Sequence, residues 1–232
     1  MRQLLLELIP DAPPSLDNFV VGTNAEALTG LANWLMPGSR ETSFFLWGTH
    51  GAGKTHLALA GGAEYWNAVD EADLADAEKA LDQHLDAQGD REPCFFAVDN
   101  VEALSAAGQI ALFNIFNRLR ARSGRLLTTA SAPPSQLGLR EDLRTRLGSG
   151  QIVQLYPLTD EQMIEALRAH AAARKLPLTT EAINYLLARA PRDMRSLMAL
   201  LVALDRYSLE HKRAITLPLL REILHAPSVP TA

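Results

Sequence analysis

The sequence predicts an α/β fold in which a parallel sheet is flanked by helices and followed by a small all-α domain. Three observations carry that prediction. The buried-strand pattern Phe44-Phe45-Leu46-Trp47 runs directly into a glycine-rich stretch, Gly48–Thr55. Further apolar runs at Cys94–Val98, Leu126–Thr129 and Ile152–Leu155 alternate with segments of helical spacing, the pattern of parallel strands joined by helical crossovers. After Pro157 no strand-like run remains.

The elements follow in chain order. Residues 1–14 end in Pro10, Pro13 and Pro14, which block a helix and favour an extended arm. Ala27, Leu28, Leu31 and Trp34 give a helix over Asn24–Trp34 an apolar face. The first strand and the glycine loop precede a helix from Thr55 to about Glu64. Residues 66–93 carry nine Asp or Glu against Lys79 and Arg91. Leu74, Ala77, Leu81 and Leu85 recur there at helical spacing, so a helix with a solvated acidic face is expected. A strand at Cys94–Val98 is closed by Asp99. A helix over Ile110–Arg122 is expected to place Ile110, Phe113, Phe116 and Asn117 on or near one face. Beyond Pro157, helices are expected over Asp160–Lys175, Thr180–Ala190, Asp193–Lys212 and Leu217–Ala226, with Thr159 and Thr179 or Thr180 as N-caps. The expected organisation is an arm (1–14), an α/β nucleotide-binding domain (15–156), a helical domain (157–226) and a tail (227–232).

Composition narrows the function classes. The chain has 232 residues, 47% of them hydrophobic, enough to bury a substantial core. Its formal net charge of −5 provides no global basic field to recruit nucleic acid. Cys94 is the single cysteine and lies in an apolar run, which points to a buried side chain in a reducing compartment. No apolar stretch approaches the roughly 20 residues of a membrane span. The run Leu4–Ile9 is too short for a signal-peptide core, so a cytoplasmic location is expected.

The stretch Gly48-Thr49-His50-Gly51-Ala52-Gly53-Lys54-Thr55 fits the phosphate-loop pattern GxxxxGK[ST] in full. Glycines let backbone N–H groups converge on phosphate oxygens, and the following helix points its positive end at the anion. Lys54 then reaches the outer phosphates and Thr55 binds Mg²⁺. Asp99 suits the carboxylate that orients the same metal. The next position is Asn100, and an amide cannot act as a general base. Glu102, two residues further on, is a weak substitute.

Leu16-Asp17-Asn18-Phe19-Val20-Val21-Gly22, the GKTH form of the loop and later arginine motifs together resemble the AAA+ module of the bacterial replication initiator DnaA, over about residues 15 to 226. Within that family the chain resembles the short regulatory inactivators. The resemblance implies an AAA+ phosphate-loop module with a helical lid. It places Phe19, Val20 and Val21 beside the adenine. Arg146, within Arg144-Thr145-Arg146-Leu147-Gly148, becomes an arginine finger acting in trans. Arg195, within Arg192-Asp193-Met194-Arg195-Ser196-Leu197, becomes a phosphate-contacting arginine of the lid. Gln3-Leu4-Leu5-Leu6-Glu7-Leu8 looks like the family's clamp-binding peptide, with Gln3, Leu4, Leu6 and Leu8 as contacts. Taken alone, that peptide reads equally well as an edge strand on the chain's own core.

Two departures stand out. Ser131 occupies the place where the family more often has an acidic residue, and Asn100 replaces the second carboxylate. Both weaken hydrolysis in cis. Arg118, Arg120, Arg122 and Arg125 cluster without interleaved aromatics, as a solvated helix end does, and no sequence-specific DNA binding is expected.

The resemblance therefore implies a regulator that binds the sliding clamp of DNA polymerase III and DnaA. It would hold ADP or ATP with Mg²⁺, alone or as a homodimer or larger AAA+ oligomer, and reach the nucleoid through the clamp. It would stimulate hydrolysis of DnaA-bound ATP and so restrain initiation. The alternative is a stand-alone DnaA-like ATPase or helicase loader acting on DNA, which the intact Lys54, Thr55 and Asp99 favour.

Overall fold

The computed structural model describes residues 13–39, 41–61, 64–88, 94–176, 178–190, 193–211 and 215–224. The clamp-peptide reading of Gln3–Leu8 lies outside the described residues, as does Arg192. The chain divides into two compact units, one spanning Pro14–Pro157 and the other containing Leu158 onward.

The first unit is built on a five-stranded, all-parallel sheet in the order β2-β3-β4-β1-β5. Its strands are β1 (Ser43–Trp47), β2 (Glu64–Asn67), β3 (Phe95–Asp99), β4 (Arg125–Ala130) and β5 (Gln151–Gln154). Helices α1 (Ala25–Leu35), α2 (Lys54–Gly61), α3 (Ala75–Gln88), α4 (Ala106–Ala121) and α5 (Glu141–Leu147) connect and cover them. The central strands β4 and β1 are almost wholly buried, as expected of strands covered on both faces. Leu31, Trp34, Phe44, Leu46 and Leu57 fill one side of the sheet. Phe45, Phe96, Leu112, Ile115 and Leu126 belong to a second cluster with Leu74, Ala77 and Leu81 of the acidic segment.

Four features differ from expectation. Strand β2 lies where a helix was expected to end and an acidic stretch to begin. Its four residues, Glu-Tyr-Trp-Asn, are all half-buried at the sheet edge, so neither an apolar run nor a clean alternation marks them. Helix α5 was not anticipated; its seven residues carry only Leu143 and Leu147 as buried anchors. Helix α4 begins four residues earlier than expected and buries Ala111, Leu112, Ile115, Phe116 and Leu119, while Ile110 is 47% exposed. The buried stripe is thus rotated by a residue from the expected one.

Arg125 is the fourth. It is 4% exposed rather than solvated. Its guanidinium donates to the Trp34 carbonyl and, at 3.5 Å, to the Ser39 carbonyl. It also lies 5.9 Å from the Trp34 ring centre and 5.1 Å from that of Phe95. Carbonyl acceptors and ring faces together replace the water that a buried cation would lose.

The second unit holds α6 (Asp160–Ala173), α7 (Thr180–Arg189), α8 (Met194–His211) and α9 (Leu217–Leu224) around Leu167, Leu186, Leu201, Leu204 and Leu220. Thr159 caps α6 in a reciprocal box: its hydroxyl accepts the Gln162 N–H at 3.2 Å, and its own N–H donates to Gln162 Oε1 at 2.9 Å. Thr179 caps α7, accepting the Ala182 N–H at 3.2 Å. Among the described residues no helix is long and apolar enough to cross a membrane.

Replacing Arg125 by Ala is expected to cost roughly 3 kcal/mol, because charged hydrogen bonds and ring contacts disappear together. Arg120→Ala, at an exposed position of the same cluster, should stay within about 0.5 kcal/mol. Urea denaturation of both variants checks the contrast. Cys94, buried as expected, has its thiol pushed up from 9.0 to about 11 by burial and then by the field of Glu64. The neutral thiol is the form that folding accommodates. Its contribution is therefore complete below pH 9 and lost as pH rises toward about 11. A Cys94→Ala chain should lose less stability than the parent between about pH 8 and about pH 10.5 in the same measurement.

Candidate nucleotide site

The site forms at the carboxyl ends of β1, β3 and β4, where the chain leaves β1 for the far edge of the sheet and later returns past it to β5. In open parallel sheets this switch in strand order opens the crevice that binds ligands. Gly48 must approach two neighbouring backbones to begin the loop. Its N–H donates to the Ala130 carbonyl at 3.2 Å, and a Cβ at this position would lie 2.2 Å from the Leu155 carbonyl oxygen. Gly51 and Gly53 adopt φ of +79° and +93°, a region that favours glycine. A Cβ on Gly53 would also meet the Phe19 ring at 2.6 Å. The loop closes into α2, whose first residues are Lys54 and Thr55. Thr49 and His50 are exposed in the loop, and Ala52 is buried beneath it.

Lys54 folds back over the loop, its Nζ donating to the carbonyls of Gly48 at 2.7 Å and Thr49 at 3.1 Å. Burial pulls its ammonium below the ordinary lysine value, and the fields of Glu102 and then Asp99 push the other way.

Asp99 is completely buried at the end of β3. Oδ2 accepts the Thr55 hydroxyl at 2.6 Å and the Tyr65 phenol at 3.0 Å, while Oδ1 accepts the Thr129 hydroxyl. The register explains the convergence. Val98 pairs with Thr128, which brings Asp99 beside Thr129, and Asn67 pairs with Asp99 while Tyr65 shares its face of β2. Sequence reasoning identified Thr55 and Asp99 but missed Tyr65 and Thr129, which became neighbours only through strand pairing.

Asn100 follows in a left-handed conformation with φ of 58°. Its N–H donates to Thr129 Oγ1 at 3.1 Å and its side-chain amide to Asn67 Oδ1 at 3.0 Å. Ser131 donates its N–H to Glu102 Oε1 at 2.8 Å.

Phe19 is half-buried against Gly53, with its ring centre 5.4 Å from that of His56. Val20 and Val21 follow, also half-buried. His56 Nε2 lies 2.9 Å from the Ser15 carbonyl, fixing the segment to α2. Buried Asn24 holds the same segment to the chain after β5: its Nδ2 donates to the Tyr156 carbonyl at 2.9 Å, and its Oδ1 accepts the Tyr156 N–H at 2.8 Å. The structure therefore brings Phe19, the loop, Thr55 and Asp99 together.

Arg146 stands apart from them on α5. Its guanidinium is half-buried, 6.0 Å from the ring centres of both Phe113 and Phe116 on α4. Arg195 is exposed in the first turn of α8, a helix capped by Asp193, whose Oδ1 accepts the Ser196 N–H at 2.8 Å.

The three hydroxyls on Asp99 can be tested by removal. Thr129→Val leaves a buried carboxylate short of a donor and is expected to cost about 2 kcal/mol. Tyr65→Phe, at a half-buried edge position, should cost about 1 kcal/mol. Equal and negligible losses in urea denaturation would show that the carboxylate does not depend on them.

Comparison with known proteins gives the family. The model described as the bacterial DnaA ATPase domain matches residues 13–154, and the model described as the lid domain of Hda matches residues 160–224. Among solved structures, domain III of the Thermotoga maritima replication initiation protein DnaA is similar with a TM-score of 0.70 at 21% identity. The match covers 94% of this chain and 100% of that one. AMPPCP-bound DnaA from Aquifex aeolicus is similar with a TM-score of 0.61 at 23% identity, over 88% of this chain and 71% of that one. A point mutant of RuvB from Thermotoga maritima reaches 0.62 at 18% identity, over 91% and 72%. At these identities the structures speak for the fold alone, a parallel sheet flanked by helices. With a DnaA-type ATPase domain followed by an Hda-type lid, the chain belongs to the Hda/DnaA-related AAA+ proteins.

Proposed function

We propose that this chain is a regulator of replication initiation that binds the DNA-loaded sliding clamp and stimulates hydrolysis of DnaA-bound ATP, supplying Arg146 in trans and leaving inactive DnaA-ADP. The observation that carries the reading is at Asn100. It sits directly after Asp99, where a water-activating carboxylate would be needed, and its amide is engaged with Asn67. A phosphate loop complete in Gly48, Gly53, Lys54 and Thr55, beside a site lacking a base, suits a protein that holds nucleotide as a conformational ligand.

The residues present fit a nucleotide with Mg²⁺. Left-handed Gly51 and Gly53 open a cradle of N–H groups, and the adjacent Thr55 hydroxyl and Asp99 carboxylate are hard oxygen donors suited to Mg²⁺ alongside phosphate oxygens. Bound there, the metal would neutralise phosphate charge. Lys54 would exchange the Gly48 and Thr49 carbonyls for phosphate oxygens, and Phe19, Val20 and Val21 would flank the adenine. Arg195 would add a charge from the lid. ADP or ATP is the expected ligand, as the AMPPCP bound by DnaA of Aquifex aeolicus suggests.

Arg146 suits a finger for a physical reason. The ring faces of Phe113 and Phe116 hold its guanidinium in place without neutralising it, so little ordering is needed before it meets a partner's phosphate. The N-terminal peptide would dock through Gln3, Leu4, Leu6 and Leu8, and the chain would act as a monomer, homodimer or AAA+ oligomer. A stand-alone ATPase or helicase loader acting on DNA is the second reading, favoured by the intact contact of Thr55 with Asp99.

DnaA-ATP turnover with clamp and DNA separates them. Arg146→Ala should lower the stimulation by roughly 10³-fold, and Arg146→Lys should not restore it, because the planar fork is lost. Stimulation equal to the parent's would discard the finger assignment. Brisk ATP turnover by the chain alone would favour the second reading. Leu4→Ala combined with Leu6→Ala should abolish retention on immobilised clamp.

A further inference from the structure

The proposed function leaves two of the side chains that meet Asp99 without a role. Strands β2 and β4 flank β3 on either side, and each sends one hydroxyl to the carboxylate that closes it. From β2, the Tyr65 phenol donates to Oδ2 at 3.0 Å. From β4, the Thr129 hydroxyl donates to Oδ1 while its oxygen accepts the Asn100 N–H at 3.1 Å. The single Thr129 proton is thus committed to Asp99, and the backbone that follows Asp99 holds the same oxygen in place. Its neighbour Thr128 is equally buried on the opposite face of β4, yet among the described residues its hydroxyl meets no hydrogen-bond partner. Burial in this strand therefore does not by itself supply a threonine with a partner; the bond from Thr129 to Asp99 follows from the register of β3 against β4.

We propose that Tyr65 and Thr129 are positioning residues for Mg²⁺, pinning the Asp99 carboxylate from both sides so that the Thr55 hydroxyl keeps its lone pairs free for the metal. This rests on the reading of Gly48–Thr55 as a phosphate loop, in which Thr55 and Asp99 serve the metal. A hydroxyl carries one proton and accepts through its lone pairs. At Thr55 that proton goes to Asp99 Oδ2 at 2.6 Å, which leaves the Oγ1 lone pairs available. The proton keeps this direction only while Oδ2 keeps its place, and a carboxylate held by Thr55 alone is free to turn about its Cβ–Cγ bond. Thr129 holds one oxygen and Tyr65 the other, so the turn is blocked. Neither residue needs to touch nucleotide or metal. Partners in this outer position typically contribute about tenfold to about a hundredfold in metal affinity by orienting the ligands. Tyr65 lies half-buried on an edge strand, so the lower end of that range is expected here.

Tyr65→Phe and Thr129→Val each remove a single hydroxyl and keep the bulk of the side chain. Thr129→Ser keeps the hydroxyl, and Thr128→Val removes one from the adjacent position of the same strand. ADP is titrated into the full chain and into each variant, in EDTA and over a series of Mg²⁺ concentrations. Tyr65→Phe and Thr129→Val should need about tenfold more Mg²⁺ for the same gain in ADP affinity, while affinity in EDTA changes less than about twofold. Thr129→Ser and Thr128→Val should follow the parent. Should Thr129→Val fail to fold, Tyr65→Phe and Thr129→Ser carry the test. Equal losses of ADP affinity with and without Mg²⁺ would mean a merely structural role and overturn the proposal. So would an unchanged Mg²⁺ requirement in Tyr65→Phe, or a parent whose ADP affinity gains nothing from Mg²⁺. A parent that binds no ADP would remove the phosphate-loop reading itself and the proposal with it, a result distinct from an unaltered Mg²⁺ requirement.

Discussion

A fully buried carboxylate governs the architecture around the candidate site. Asp99 closes β3 beyond the reach of water, and a charge so placed must be met by donors. They come from three separate elements: Thr55 from α2, Tyr65 from β2 and Thr129 from β4. Each hydroxyl reaches Asp99 only if its element is in register with β3. The phosphate loop, the edge strand and a central strand are thus tied to one another through a single side chain. The tight approach of Gly48 to Leu155 and Ala130 adds β5 and β4 to the same arrangement. The loop that begins at Gly48 is held at both ends, by backbone packing at its start and by the carboxylate at Thr55.

What could be read from the sequence was what depends on neighbours along the chain. The strand β1 leading to the glycine loop, the helix that follows, and the caps at Thr159 and Thr179 are local patterns, and the structure contains them. What escaped depends on partners distant in sequence. Strand β2 has no apolar signature because only its pairing with β3 makes it a strand; Tyr65 pairs with Ala97, and its phenol turns to Asp99. Asn24 looked like the start of a helix, yet its amide joins a segment 132 residues away. The buried face of α4 was misplaced for a related reason. Ile110 is apolar yet exposed, whereas Ala111 is buried and Gly108 lies so close to the Ala72 carbonyl that a Cβ would meet its oxygen at 1.9 Å.

Arg125 shows the same limit in its sharpest form. Four arginines spaced within eight residues read as one solvated cluster, since nothing in the spacing separates them. The first three belong to α4 or its end, whereas Arg125 opens a strand that is buried along its whole length. Its position in β4 then leaves no solvent to reach, and the Trp34 carbonyl with the faces of Trp34 and Phe95 takes over the solvation. Chemical type said that the residue would be charged; only strand order said where the charge would lie.

The distribution of charge at the carboxyl ends of the strands gives the proposed function its physical shape. An efficient phosphate-cleaving site gathers a metal-binding acid, a base for water and cations for the transition state around one nucleotide. Here the acid meets the loop at Thr55, but the position for the base is an amide facing Asn67, and the remaining carboxylate, Glu102, accepts the Ser131 N–H. Arg146 rests on the aromatic faces of α4, on an element separate from the loop. An amide at the place of the base and an arginine on a separate element oppose turnover in the same site. The same two features are compatible with retention of a spent nucleotide and with an arginine offered elsewhere. On the proposed reading, the chain keeps the part of the machinery that holds phosphate and separates from it the part that helps break it.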